Sequence, residues 1–318
     1  MNSSTTLRIH LALLFVSAVF GINSVTAKIA LKEIDPMALV CIRIATAAVI
    51  LYILQVIFIK EKIRSAKDYL KLAYFSVFGI IINQTLFLKG LALTTAINAT
   101  VLVTTIPVVT IVIALILGRE KKSFRKIAGS LLSFIGVILL LGAERIDLNN
   151  KFFVGNLLVF INAVSFGIYL VIAKDILKRY HPATVTTWTF IFGAIGVFPF
   201  GIDQAIHLPY ADISITAWLC VLFLILFSSV IVYYINSWAL QRTTSSTVAV
   251  YIYVQPIVAT GISTMALGET LTWTTVIAAL LIFAGVFIVS LKMREELRAE
   301  AASKELDLVR ESMALKED

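Results

Sequence analysis

The chain has 318 residues, of which 59% are hydrophobic and only 14% charged, with a mean hydropathy of +0.95. That excludes a soluble domain, because too little polar surface remains to cover one. The formal charge of +8 needs no nucleic acid as a partner, since basic loops are held against anionic lipid.

Ten apolar stretches follow in order, at residues 7–29, 36–59, 69–91, 95–117, 126–141, 153–173, 182–200, 214–240, 247–267 and 274–291. Most reach the ~20 residues that a helix needs to cross a ~30 Å hydrocarbon core. The first could be mistaken for a secretory signal, but its apolar run is long and Asn23 and Lys28 follow, so it reads as a retained span. The fifth is short, and its ends are expected to extend into the basic segment before it or the Gly142-Ala143 turn after it. The longest outer loop is expected from residue 201 to about 213. After Lys292 the composition turns to alternating charge, which reads as a polar tail.

Laid out in alternation, the spans put 21 Lys and Arg on the side of the amino terminus and five on the other. The positive-inside rule then predicts that both termini are cytoplasmic.

The chain also says nearly the same thing twice. Phe20-Gly21-Ile22 with Ala27-Lys28 and Pro36 returns as Phe166-Gly167-Ile168 with Ala173-Lys174 and Pro182, at an offset of 146. Pro107, Glu120, Gly136 and Val137 return as Pro256, Glu269, Gly285 and Val286, at an offset of 149. Each copy holds an odd number of spans, so the second enters the bilayer from the opposite face. The predicted fold class is an all-α integral membrane protein with ten transmembrane helices in two inverted five-helix repeats. Residues 1–145 form the first repeat, 146–292 the second and 293–318 a charged cytoplasmic tail.

Chemistry in such a chain is sought where polar groups lie deep in the spans. Pro107 and Pro256 each remove a backbone donor in mid-span, which kinks the helix and frees the carbonyls of Val103 and Ile252. Near these kinks lie Asn98 on helix 4 and Tyr251 and Gln255 on helix 9. Thr247, Tyr251 and Gln255 recur every four residues, so they share a face that should point inward. Asn83, Gln84, Tyr234 and Asn236 on helices 3 and 8, with Asn23, Tyr169 and Trp188 on helices 1, 6 and 7, extend the set of candidate substrate contacts.

Arg43 lies seven residues past Pro36. At 1.5 Å per residue that is roughly 10 Å below the outer boundary. A charge there costs a few kcal/mol unless paired, so Arg43 is a candidate to bind a substrate carboxylate or phosphate, or the carbonyl end of a broken helix. Lys28 and Lys89 are nearer the interface, where lysine stems snorkel. Gly21 and Gly167 would permit close packing, and Glu120 and Glu269 stand at the ends of helices 4 and 9.

Other classes find no support. No Asp or Glu occupies the centre of a span, which leaves a proton relay without a seat. There is no His-Glu-x-x-His, nucleophile elbow or Walker A loop, and three scattered histidines and two in-span cysteines make no metal site. Neither an enzyme activity, a cofactor nor a metal is expected.

Phe20-Gly21 with Lys28, Pro36 with Arg43, Pro107 with Gly118 and Glu120, and Gly129 with Gly136, partly repeated, resemble the EamA-type members of the drug/metabolite transporter superfamily. The resemblance spans residues 7–291. It implies that helices 1–4 and 6–9 enclose a central cavity with helices 5 and 10 outside, and that members move amino acids, other metabolites or toxic compounds, often outward across a bacterial inner membrane. Here Phe20 stands where that family often has Trp, and Thr189 stands where Arg43 would repeat.

The expected protein is therefore a secondary carrier of small amphipathic metabolites that alternates access around a midplane cavity. Its partners would be the substrate and membrane lipids, as a monomer or as a homodimer through the glycine-bearing faces of helices 5 and 10. The alternatives are a lipid-linked intermediate flippase, or a membrane sensor that signals through its tail.

Overall fold

The computed structural model describes residues 3–118, 123–141, 149–243 and 245–288, with side chains 3–6, 246 and 250 outside the description. Glu120 and the tail predicted from residue 293 lie outside the described residues. Among the described residues the chain is helical without strands, and nine helices are long and apolar enough to cross a membrane. These are α1 (Leu7–Ala30), α2 (Pro36–Ile59), α3 (Ala66–Leu93), α4 (Ala96–Ile116), α5 (Phe124–Leu141), α6 (Lys151–Leu177), α7 (Pro182–Ile206), α8 (Ile215–Arg242) and α9 (Thr247–Ala266). A tenth, shorter apolar helix, α10, covers Trp273–Ile288.

The starts of these helices follow from local sequence. A helix leaves its first N–H groups without partners, and a short polar side chain just before it satisfies them. Asp35 Oδ1 accepts from Met37 N at 2.7 Å, with Pro36 in the first turn of α2. Ser65, Thr95, Asn150, Ser214 and Thr272 cap α3, α4, α6, α8 and α10 in the same manner. At the other ends of α4 and α9, Gly118 and Gly268 take φ of +66° and +67°, the left-handed turn that glycine enters without strain. The expected loop after residue 200 is shorter than the composition suggests. Helix α7 runs through Pro199 to Ile206, because Gly201 lets its backbone lie directly on Met37 and Cys41 of α2.

Two halves are related by a pseudo-twofold axis, and matching contacts make this visible. Gly21 of α1 packs against Val258 of α9, and its repeat mate Gly167 of α6 packs against Val109 of α4, the mate of Val258. Two contacts join residues to their own mates: Ser133 Oγ donates to Ile282 O at 3.1 Å and Gln84 Nε2 donates to Tyr233 Oη at 2.5 Å, both across 149 residues. These pairs sit on the axis. The architecture is thus ten transmembrane helices in two inverted five-helix repeats.

Helices α5 and α10 stand to one side. Gly136 faces Ala278 and Ile282, and Gly285 faces Gly129 and Ser133, each too closely for a Cβ. The glycines expected to seat a second copy therefore pack on each other within one chain. Outward-pointing Leu131, Ile135, Leu280 and Phe287 are exposed, as lipid-facing side chains are. The face carrying the α2–α3, α6–α7 and α8–α9 connections is called the basic face below, and the opposite one the far face.

Candidate functional site

Among the described residues, four helices depart from regular α geometry in repeat-matched pairs, and α2 alone adds an unmatched π-helical turn at its end, over Gln55–Ile59. Helix α4 breaks at Thr104-Thr105, just before Pro107, and α9 tightens into a 3-10 turn over Tyr251–Tyr253, just before Pro256. Helices α3 and α8 widen into π-helical turns over Val77–Ile81 and Leu224–Ile231. Each departure frees backbone carbonyls that need donors in an apolar medium. Thr104 and Thr105 hydroxyls serve Val101 O and Leu102 O at 2.5 and 2.7 Å. Ser165 Oγ of α6 reaches Phe78 O at 2.8 Å, and Ser229 Oγ reaches Leu224 O at 3.0 Å.

The space between these distorted helices is a cavity of about 60 Å³. At roughly 10–15 Å³ per water this holds a few waters or a small polar head group. Its lining comes from α1, α2, α3, α4, α6, α8 and α9, with none from α5, α7 or α10. Val103 and Ile252, whose carbonyls lose their helical donors to the two prolines, both line it. Aromatic walls are provided by Phe20, Phe87, Phe166 and Tyr233. The mates Phe20 and Phe166 each stand edge-on to Tyr233, with ring centroids 6.2 and 6.4 Å away.

Polar atoms meet at the same place. Gln84 Nε2 donates to Asn83 Oδ1 at 2.9 Å as well as to Tyr233, and Asn162 Nδ2 donates to Asn83 O at 2.8 Å. Arg43, 1% exposed, donates from Nε to Ser229 Oγ at 2.7 Å. Asn23 Oδ1, Gln84 Oε1 and Arg43 Nη1 are buried without a hydrogen-bond partner in the protein. A buried polar atom without a partner costs about 1–3 kcal/mol, so three around one small cavity form a concentrated reserve of binding capacity.

Of the residues singled out from the sequence, Asn23, Arg43, Asn83, Gln84, Asn236 and Gln255 line this cavity. Five others are placed elsewhere. Asn98 accepts from Thr275 Oγ1 at 2.9 Å near the far face. Trp188 stands edge-on to Tyr69 at 4.7 Å, and Tyr234 stacks on His181. Tyr169 lies flat under Gly79 and stacks on Phe166. The Tyr251 hydroxyl bonds to His10 Nδ1. The expected stripe of Thr247, Tyr251 and Gln255 assumes an unbroken helix, and the 3-10 turn between Tyr251 and Gln255 rotates one away from the other. Sequence reasoning drew only Asn23 from α1, the largest contributor, and passed over Leu13, Val16, Ser17, Phe20 and Ser24 as lining residues. Their three- and four-residue spacing was the available signal.

Above the cavity the far face is tied shut. Lys28 Nζ of α1 donates to the last carbonyls of α3, Leu91 O, Ala92 O and Thr94 O, at 2.6, 3.2 and 2.5 Å. Glu269 accepts from Ala96 N and Ile97 N at 2.8 and 3.1 Å, which places a carboxylate on the positive end of α4. Lys28 thus does not snorkel; it caps a helix end. Glu33, between α1 and α2, accepts from Ser214 N and Oγ, both at 2.7 Å, and these donors hold its carboxyl below the usual glutamate range. On the basic face Asp68 receives Arg179 at 2.6 and 3.2 Å and the Tyr180 hydroxyl at 2.7 Å. Burial pushes the Tyr180 phenol up.

Two inverted halves around a polar, aromatic-walled cavity in a bundle of apolar helices define a polytopic membrane protein. The model of the EamA-like transporter family matches residues 7–142 and 153–291, and the chain belongs to that family. It is 28% identical over 298 residues to an "uncharacterized transporter" of Archaeoglobus fulgidus, covering 93% of this chain and 100% of that protein. The uncharacterized transporter YyaM of Bacillus subtilis is 25% identical, over 89% of this chain and 94% of its own. A solved structure titled only as a crystal structure of a protein shares the fold with a TM-score of 0.63 at 18% identity, over 89% of this chain and 97% of that one. The protein is a multi-pass membrane transporter and not an enzyme.

Proposed function

We propose that this transporter is a secondary carrier that exports small amphipathic metabolites, amino acids or similar compounds, by alternating access through the cavity between its halves. The observation that carries this reading is the meeting of Asn23, Gln84 and Arg43, each with an unpartnered polar atom, between aromatic walls at the repeat interface. Apolar walls with a few convergent polar groups suit a small ligand with one polar end. Helices broken at the middle and matched in both repeats supply the joints about which one half rocks on the other.

The asymmetry of basic residues, 21 against five, supports termini on the cytoplasmic side of a bacterial inner membrane. Export then runs from the basic face to the far face. The test is flux of a panel of labelled amino and hydroxy acids in proteoliposomes. Replacing Asn23, Gln84 and Gln255 together with Ala should reduce flux at least about tenfold, the effect of losing one or two net hydrogen bonds. Undiminished flux would remove this cavity from the transport route.

A further inference from the structure

We propose that the cavity selects its ligand by charge: it takes a small amphipathic acid whose anionic group binds Arg43, and it rejects organic cations that carry no acidic group. This rests on the reading of the cavity as the transport site and adds what that site recognises.

Arginine stays charged wherever it is placed. Arg43 is 1% exposed, and only Nε is engaged, by a neutral serine hydroxyl. Its Nη1 lies buried with no partner in the protein. Among the described residues lining the cavity there is no Asp or Glu, so Arg43 is the one fully charged side chain there. A buried guanidinium without a counter-charge is strained electrostatically, and a ligand anion relieves it. A cationic ligand would add a second like charge to a site that has no acid to offset either. In the same cavity, Asn23 Oδ1 and Gln84 Oε1 are acceptors without donors. They are matched by a hydroxyl or ammonium hydrogen on the same ligand. A 2-hydroxy or 2-amino acid with a short apolar tail satisfies all three atoms.

The probes are five compounds of nearly one shape: isovalerate, 2-hydroxyisovalerate, valine, isovaleramide and isobutylamine. Binding to the purified full-length protein in detergent, by titration calorimetry, should be tightest for 2-hydroxyisovalerate and valine and weaker for isovalerate. Isovaleramide should bind roughly ten- to hundredfold more weakly than isovalerate, the effect of one charge-assisted hydrogen bond, and isobutylamine should not bind. Arg43→Gln should abolish the preference for acid over amide. If that variant does not elute as a single species, Gln84→Glu serves instead, since a carboxylate built into the cavity neutralises Arg43 and should erase the same preference. An unchanged preference in either folded variant overturns the proposal. So does equal binding of amide or amine, or a chloride effect on stability that isovalerate does not displace, which would make Arg43 an inorganic-anion site. Flux in proteoliposomes separates the two ideas. Amine flux equal to acid flux defeats charge selection and leaves the carrier intact, whereas acid binding without any flux defeats the carrier reading alone.

Discussion

The two faces of this transporter carry the same residues in repeat-related places and use them differently. On the far face Lys28 locks the carbonyl end of α3 through three hydrogen bonds. Its mate Lys174, at the matching point of α6, hydrogen-bonds none of the described residues, and Gln241 of α8 instead reaches Leu177 O and Tyr180 O at 2.6 and 3.2 Å. A shared sequence pattern thus yields one engaged clamp and one that makes no hydrogen bond among the described residues.

Lys28→Met should break the comparison most strongly. Three carbonyls lose a charged donor, and with about 1.5–3 kcal/mol per charge-assisted hydrogen bond the far-face-closed state should lose roughly tenfold or more in population. The readout is labelling by a membrane-impermeant thiol reagent at Ser24→Cys in a Cys41→Ala, Cys220→Ala background. Lys174→Met should leave that labelling unchanged; an equal response would mean that both clamps are engaged.

Gly21→Ala and Gly167→Ala come next, since each Cβ would meet Val258 or Val109 at 2.8 Å. Overpacking of this kind costs about 1–3 kcal/mol, and thermal unfolding in detergent should fall by similar amounts in both. A large difference between them would show that the halves are not equivalent at this contact. Glu269→Gln keeps an acceptor for Ala96 N but loses the charge on the positive end of α4, and should raise far-face labelling by a smaller factor, for about 0.5–1 kcal/mol.

The smallest effect belongs to Glu33→Gln at the exposed clasp on Ser214. The carboxyl of Glu33 is held low in the folded protein, so its contribution is present above the ordinary glutamate range and fades as pH falls through the folded value. Melting of the wild type should drop slightly more than that of the variant on acidification. Identical pH profiles would show that the clasp is idle.

Much of the architecture was legible because membrane helices answer to short-range rules. Length and apolarity give the spans, and Pro107 with Pro256 announce the breaks, whereas the caps Asp35, Ser65 and Ser214 set starts that the apolar stretches alone do not fix. The site was legible in part. Asn23, Asn83, Gln84, Asn236, Gln255 and Arg43 reach the cavity as mid-span polar residues do. Tyr251 and Asn98 belong to the same helices as true lining residues, yet a 3-10 turn and a bond to Thr275 take them elsewhere. Lys28 looked like an interface lysine, because nothing local reveals that the end of α3 lies within its reach.

The amino-acid sequence by itself determined that this chain spans a membrane ten times in two opposed copies, since hydropathy acts within a few turns of one helix and the repeat is written in residue order alone. Only the tertiary structure decided which polar atoms share a cavity, which are left without partners, and which of two equivalent lysines is engaged. Those outcomes depend on how helices far apart in the chain are rotated and how far each broken turn is unwound, and packing sets both.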